Sequence, residues 1–237
     1  MLEYNKIYLM KESFILKNFM YYNKIERVIR MTCKELFLKV DDILLHSSKP
    51  SVEIRELIDK GEFDQKPFIK IKNLEDIEQN LVHHPEGNVL NHTLLVIDKA
   101  SKYKKQSKDE RVFMWAALLH DLGKLTTTRE RKGKITAYGH DLQGEILSRQ
   151  FLHQVIEDEK FINDVCVLVK HHMQPLFYDK KLPYFKEKEI INDSDYNEIS
   201  LLSLADRLGR SNLCDEKIKQ EEKRINNFKN FFADKYK

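Results

Sequence analysis

The sequence predicts an all-α helical bundle that carries one small β-hairpin. Apolar side chains recur mostly at the i, i+3, i+4, i+7 spacing of amphipathic helices. The chain has only seven glycines and five prolines among its 237 residues, so few positions break a helix. Four of the seven glycines (Gly123, Gly133, Gly139 and Gly144) fall in one short stretch, which is therefore the predicted irregular part.

Composition limits the classes of protein to which this chain can belong. A hydrophobic content of 41% suffices for the core of one large domain or two small ones. Lys+Arg (41) and Asp+Glu (38) leave a formal net charge of +3, which is no strong nucleic-acid signal but leaves room for local basic patches. Three isolated cysteines (Cys33, Cys166 and Cys214) favour reduced thiols in a cytosol. With neither a signal peptide nor an apolar run that could span a bilayer, we expect a cytoplasmic protein without a membrane partner.

The first part of the chain is predicted to be helical. Residues 1 to about 46 would form two helices, and aromatic side chains in the first favour packing on the same chain over packing on a partner. A break at residues 47–51 precedes a short helix, which Ser51 can cap and which stops near Gly61. A second break at residues 85–88 precedes a strong helix over residues 89–102.

The remaining elements follow from similar signals. Residues 111–119 are apolar on most sides, and Gly123 is a predicted helix stop. The β-prone runs 126–129 and 135–138 flank a basic tip and predict a small exposed hairpin. Helices are predicted over residues 142–153 and 160–174, and the N-capping cluster 192–195 begins a final core helix. The amphipathic tail from Asp215 would cover the body or mediate a homodimer.

Seven residues in these segments can ligate a metal. Imidazole and carboxylate are the ligands that a catalytic cluster of Zn, Mn, Fe or Ni needs. Asp206 lies among leucines, where a carboxylate is costly unless it binds a metal or pairs with a neighbouring arginine. His172 shares the apolar face of its helix and His171 lies about 100° away, so His172 is the better ligand. In chain order the set is His92, His120, Asp121, His140, His171, His172 and Asp206.

The order of these residues resembles the HD-domain superfamily of metal-dependent phosphohydrolases, whose motif is a His, a His-Asp doublet and a distal Asp on an all-α bundle. Five local strings are similar to one branch, the HD region of the bacterial tRNA nucleotidyltransferase and poly(A) polymerase family. They are residues 84–94, 118–124, 138–141, 168–173 and 205–210, and the resemblance covers roughly residues 40–212. Nothing before residue 40 resembles the nucleotide-adding head of that family, so nucleotide addition is not expected.

The resemblance implies an HD-domain helical bundle with metal binding at His92, His120, Asp121 and Asp206. His140, with His171 or His172, matches the extra histidines of HD proteins that hold two ions. Two divalent ions (Mn, Ni, Fe, Co, Zn or Mg) that share Asp121 are therefore expected rather than one.

The resemblance also implies roles around the metals. Asp121 and Lys124 would carry catalysis, and Lys124 would lie near a substrate phosphate unless it is a solvated loop lysine. Arg149, Arg207 and Arg210 are further candidates for binding phosphate, with a salt bridge as the alternative for each.

Two functions from different classes follow. The first is a metal-dependent phosphohydrolase or phosphodiesterase that acts through a metal-activated hydroxide on a nucleotide, a 2′,3′-cyclic phosphate or an RNA end. The second is a non-catalytic tRNA- or RNA-binding or scaffolding module. The complete ligand set favours the enzyme, because a scaffold would not need it. We predict three parts: a helical segment at 1–80 that packs on the body, an HD metal-binding domain at 81–214 and an amphipathic helix at 215–237.

Overall fold

The computed structural model describes residues 30–236. The chain divides into two units, Met1–Thr32 and Cys33–Lys237, and the elements below belong to the second unit. The predicted aromatic-rich first helix lies outside the described residues. The three predicted domain ranges stay a prediction.

The described part is helical apart from one hairpin, as the sequence predicts. The first helices are α1 (Cys33–His46), α2 (Pro50–Asp59), α3 (Ile69–Lys72), α4 (Val89–Tyr103), α5 (Glu110–Leu119) and α6 (Lys124–Thr127). The hairpin consists of β1 (Arg129–Arg131) and β2 (Lys134–Thr136). The later helices are α7 (His140–Leu152), α8 (Glu159–His171), α9 (Gln174–Asp179), α10 (Glu187–Asp193), α11 (Tyr196–Leu208) and α12 (Asp215–Lys235). Two 3₁₀ turns span Asn73–Asp76 and Lys104–Gln106.

The centre of the bundle is α5. Every residue from Val112 to Leu119 is buried, and α5 packs against α1, α4, α8 and α11. The indole of Trp115 stacks on Phe37 with ring centroids 4.7 Å apart and donates a hydrogen bond to Asp41 over 2.7 Å. Because α5 is buried on all sides, the residues that follow its last turn lie inside the protein.

Capping side chains begin α4 and α11, two helices that carry candidate site residues. The Asn88 side chain accepts a hydrogen bond from the Asn91 amide at 2.8 Å and begins α4. The Asp195 carboxylate accepts from the Asn197 amide at 2.7 Å and begins α11 within the predicted capping cluster. Such caps satisfy amides that the first helical turn leaves unpaired.

Ser51 does not cap α2, contrary to the prediction. The helix begins at Pro50, which suits the first helical position because it lacks an amide hydrogen and has a fixed φ. The amide and hydroxyl of Ser51 instead donate to the carboxylate of Asp98, at 2.9 and 2.6 Å. Ser51 therefore ties α2 to α4.

Gly123 is not a helix stop in the predicted sense. Its φ is −63°, an ordinary helical value, and α5 already ends at Leu119. A Cβ at Gly123 would lie 2.0 Å from the carbonyl oxygen of His140 and 2.5 Å from the amide nitrogen of Gly144. Glycine is required because the start of α7 packs directly on this turn, which brings His140 next to the His120-Asp121 pair.

The hairpin is present but shorter than predicted. Its antiparallel register pairs Arg129 with Thr136 and Arg131 with Lys134. The two residues between the strands, Lys132 and Gly133, have φ values of 52° and 71°, as a tight two-residue turn requires. The first strand does not start at residue 126, because Thr126 and Thr127 belong to α6.

The tail from Asp215 covers the body. Ile225, Phe228 and Phe232 on α12 are buried, and the Tyr196 ring stacks on Phe232 at 5.2 Å. None of the described helices combines the length and apolar character needed to cross a membrane.

Candidate metal centre

Six of the seven predicted ligands meet in the interior. His92 comes from α4, His120 and Asp121 follow α5, His140 begins α7, His172 follows α8, and Asp206 lies on α11. All but Asp206 are buried. His171 is the exception, because its Nε2 atom lies 3.2 Å from Asp193 Oδ2, outside the cluster.

Asp121 lies at the centre of the cluster. Its Oδ2 atom is 3.3 Å from His120 Nε2 and 3.8 Å from His92 Nε2, and its Oδ1 atom is 3.5 Å from His140 Nε2. Two groups of donor atoms, each within 4.8 Å of one another, therefore share this carboxylate. We call His92, His120 and Asp121 the first group, and Asp121, His140 and His172 the second group.

Backbone carbonyls fix the orientation of three imidazoles. The Nδ1 atoms of His120, His140 and His172 lie 2.8, 2.8 and 2.6 Å from carbonyl oxygens. The acceptors are Ala117, Ala137 and Val169, each three residues earlier in the chain. Because a carbonyl only accepts, Nδ1 carries the hydrogen and the neutral ring presents a lone pair at Nε2. All three Nε2 atoms are thus prepared to ligate a cation.

Among residues 30–236 these lone pairs lack suitable partners. The Nε2 atoms of His140 and His172 face each other at 3.2 Å, although two lone pairs cannot hydrogen-bond. His120 Nε2 is buried and has no hydrogen-bond partner among residues 30–236. Burial, and then the neighbouring imidazoles of His140 and His120, lower the pKa of His172 to about 4, which disfavours a bridging proton at neutral pH. A divalent cation would satisfy these atoms, so the residues fit a metal.

His92 links the first group to two further carboxylates. Its Nε2 atom lies 2.9 Å from Asp206 Oδ1, and its Nδ1 atom lies 2.9 Å from Glu86 Oε1. Burial alone would raise the pKa of Asp206, but the hydrogen bond from His92 and its charge hold that pKa well below the usual range. Asp206 is therefore an ionised carboxylate beside the first group.

Glu86 is a site residue that the sequence reasoning missed. Its carboxylate is 3% exposed, and its Oε1 atom also lies 3.0 Å from His84 Nδ1. A carboxylate that accepts from Nδ1 of a ligating histidine fixes the tautomer and makes Nε2 a better ligand. The only signal in the sequence was an acidic residue just before the helix that carries His92.

Glu86→Gln is expected to weaken metal binding at the first group. The amide keeps the shape of the side chain but lacks the charge that orients His92, and loss of such a partner typically costs about 10–100-fold in metal affinity. Calorimetric titration of the metal-free protein with Mn²⁺ measures this change. Glu130→Gln, an exposed hairpin position, is the control. Equal affinities of Glu86→Gln and wild type would refute the role of Glu86.

The predicted cationic residues have different surroundings. Lys124 is not a solvated loop lysine, because its Nζ atom donates to Asp121 Oδ2 and to Gln79 Oε1, both at 2.7 Å. Arg207 is buried and donates to Glu221 on α12. The structure does not bring Arg149 to the site, because its guanidinium faces Asn163 and Glu145 on the outer side of α7 and α8.

A cavity of about 800 Å³ opens above the cluster. Its lining includes Asp121, His140, His172 and Asp206 of the cluster, and Lys124, Arg207 and Arg210 line it as well. Its volume lies within the range of about 300–1,000 Å³ typical of small-molecule sites. The cluster is thus open to a ligand from one side.

Comparison with known proteins finds similar sequences that share one name. A "Multifunctional CCA protein" of Actinobacillus pleuropneumoniae serotype 5b (strain L20) is 31% identical over 105 residues, which are 44% of this chain and 25% of the relative. The protein of the same name from Pasteurella multocida (strain Pm70) is 25% identical over 191 residues, 76% of this chain and 44% of that protein. The matched part of this chain therefore spans 25% of the length of the first relative and 44% of the length of the second. The predicted resemblance to the HD region of the tRNA nucleotidyltransferase family is confirmed.

The family comparison covers the same part of the chain as the cluster. The model of the HD domain matches residues 89–210, just over half of the sequence. The match begins at the first residue of α4 and ends just after α11, so all six clustered residues lie within it. The chain therefore belongs to the HD domain family.

Proposed function

We propose that this chain is a metal-dependent phosphohydrolase or phosphodiesterase that acts on a nucleotide, a 2′,3′-cyclic phosphate or an RNA-end phosphoester. One observation carries the proposal: two groups of buried ligand atoms share Asp121, which lines an open cavity. HD domains are usually metal-dependent hydrolases, which supports this reaction class. The resemblance to the HD region of the tRNA nucleotidyltransferase family, to which the relatives named "Multifunctional CCA protein" correspond, supports a nucleotide or RNA substrate.

Two divalent ions fit the ligand set better than one. His92, His120 and Asp206 would hold one ion together with Asp121, and His140 and His172 would hold a second ion together with Asp121. Most of these ligands are imidazoles, which favours Zn, Fe or Ni over Mg, because Mg prefers oxygen ligands. Bound ions would supply Lewis acidity and a hydroxide nucleophile at neutral pH.

Lys124 and Arg210 would bind the reacting phosphate. Lys124 has three donors, of which Gln79 and Asp121 each take one, so a donor remains for a phosphate oxygen. Arg210 lines the same cavity, and its positive charge helps to lower the pKa of Asp206. Cations fixed beside a reacting phosphate stabilise the charge of its equatorial oxygens in the transition state.

A phosphoester panel tests the proposal. The full chain, loaded separately with Mn, Co, Ni, Zn, Fe or Mg, is assayed on p-nitrophenyl phosphate, its bis-ester and 2′,3′-cyclic mononucleotides. We expect hydrolysis that a chelator stops. If the loaded protein hydrolyses no more than Asp121→Ala, the proposal fails. Salt-sensitive tRNA binding that survives chelation, without hydrolysis, would instead support the non-catalytic RNA-binding module.

A further inference from the structure

We propose that the cavity holds a second, non-reacting phosphate on the wall formed by α11 and α12, so that the substrate is an oligonucleotide end rather than a mononucleotide. This inference rests on the proposed function, because it takes the metal centre as the position of the reacting phosphate. We call the wall residues Arg207, Lys217 and Arg224 the second subsite; all three line the cavity.

The side chains of Asp206 and Arg207 separate the two positions. Adjacent residues of a helix project about 100° apart. Asp206 turns towards His92 and the metal centre, whereas Arg207 turns towards Glu221 on α12. Arg207 therefore lies on a different side of the cavity from the reacting phosphate.

One buried guanidinium donor in the second subsite has no partner in the described part of the chain. Arg207 is only 4% exposed, and its Nη1 atom donates to Glu221, but its Nη2 atom has no acceptor among residues 30–236. An unpaired buried donor is costly, and the planar fork of arginine matches phosphate oxygens. Phosphate is thus a chemically suitable partner.

The charge of the wall also favours an anion. Glu221 accepts from both Arg207 and Arg224, with the Arg224 Nη1 atom at 2.6 Å, and Arg224 Nε also lies 3.5 Å from Asp179 Oδ2. Two carboxylates therefore balance these two guanidiniums. The exposed Lys217 adds positive charge along the same wall. A phosphodiester would offset this charge.

An exposed apolar part of the cavity lining suits a nucleobase. Leu81, Val82 and Tyr138 line it although they are 66%, 84% and 67% exposed. The Arg131 guanidinium lies 5.1 Å from the centre of the Tyr138 ring on the hairpin. Bases of single-stranded nucleic acids stack on aromatic and apolar side chains while a basic groove follows the backbone. The end of a nucleic-acid strand can contact this apolar part of the lining, the basic wall and the metal centre together.

The test compares two substrates with the same reacting group. One is a 2′,3′-cyclic mononucleotide, and the other is a dinucleotide that ends in the same cyclic phosphate and adds one phosphodiester. Wild type should have the higher kcat/KM on the dinucleotide. Arg207→Lys, which keeps the charge but loses the fork, should lower this preference by about ten-fold, the effect of losing one charge-assisted hydrogen bond. Lys217→Gln should lower it by about two- to three-fold, since exposed ionic contacts are weak.

Lys219→Gln is the matched control, because Lys219 is exposed on α12 but does not line the cavity. It should keep the wild-type preference. Lys217→Gln alters an exposed side chain, so it remains informative if Arg207→Lys fails to fold. Equal efficiency of wild type on both substrates, or an unchanged preference in both variants, would overturn the second subsite.

Failure of the proposed function gives a different result, namely no hydrolysis of either substrate. Calorimetry of the metal-free protein with a 3′-phosphorylated dinucleotide and a 3′-mononucleotide then decides on the subsite. Tighter binding of the dinucleotide that Lys217→Gln weakens supports the subsite. Equal binding of the two ligands rejects it.

Discussion

Asp121→Asn is expected to remove metal binding from both groups of ligands and to lower hydrolysis by more than 100-fold. Asp121 is the one residue that both groups share among the described ligands. A partner that only orients a ligand is worth about 10–100-fold, so loss of the shared ligand itself should exceed that range. Elemental analysis after dialysis, together with initial rates, measures both effects.

Asp141→Asn is the matched control for this substitution. Asp141 is a buried aspartate next to His140, but it is not a member of either ligand group. Metal at 100 times its dissociation constant should raise the Tm of wild type and of the control by about 5–10 °C. Asp121→Asn should show no such rise. A wild-type metal content in Asp121→Asn would contradict the central position of Asp121.

Substitution of His172 and substitution of His171 should affect the metal content differently. His172→Ala removes a ligand of the second group, so we expect the metal content to fall from two ions to one per chain. His171→Ala should leave two ions, because His171 faces Asp193 instead of the cluster. His171→Ala should lower the free energy of unfolding by about 1–3 kcal/mol, because it leaves a buried cavity and removes the hydrogen bond between His171 and Asp193.

The pair is informative because the two residues are adjacent and equally buried. Elemental analysis gives the ion count, and urea unfolding gives the stability of each variant. If His171→Ala lost an ion while His172→Ala kept both, the orientation of the two rings in the structure would be refuted.

The helices were predictable from local signals. The apolar period of α4, α5 and α8 and the capping cluster before α11 predicted their positions within a few residues. Ser51 and Gly123 were predicted incorrectly because their roles depend on distant residues. Ser51 binds Asp98 on α4, and Gly123 is needed because α7 packs against its backbone.

The ligand types and their order were also visible in the sequence, whereas their surroundings were not. Glu86 precedes α4, and only the folded chain shows that its carboxylate meets His92. The sequence could not separate Lys124, which lies against Asp121, from Arg149, which faces away from the cavity. The fixed tautomers of His120, His140 and His172 depend on backbone carbonyls that sequence patterns do not reveal.

Anomalous diffraction from crystals soaked in Mn²⁺ tests most directly whether Asp121 bridges two metal ions. We expect two anomalous peaks, one on each side of the Asp121 carboxylate. The first should lie beside His92, His120 and Asp206, and the second beside His140 and His172. A single peak, or none next to Asp121 at saturating Mn²⁺, would contradict a shared two-metal centre.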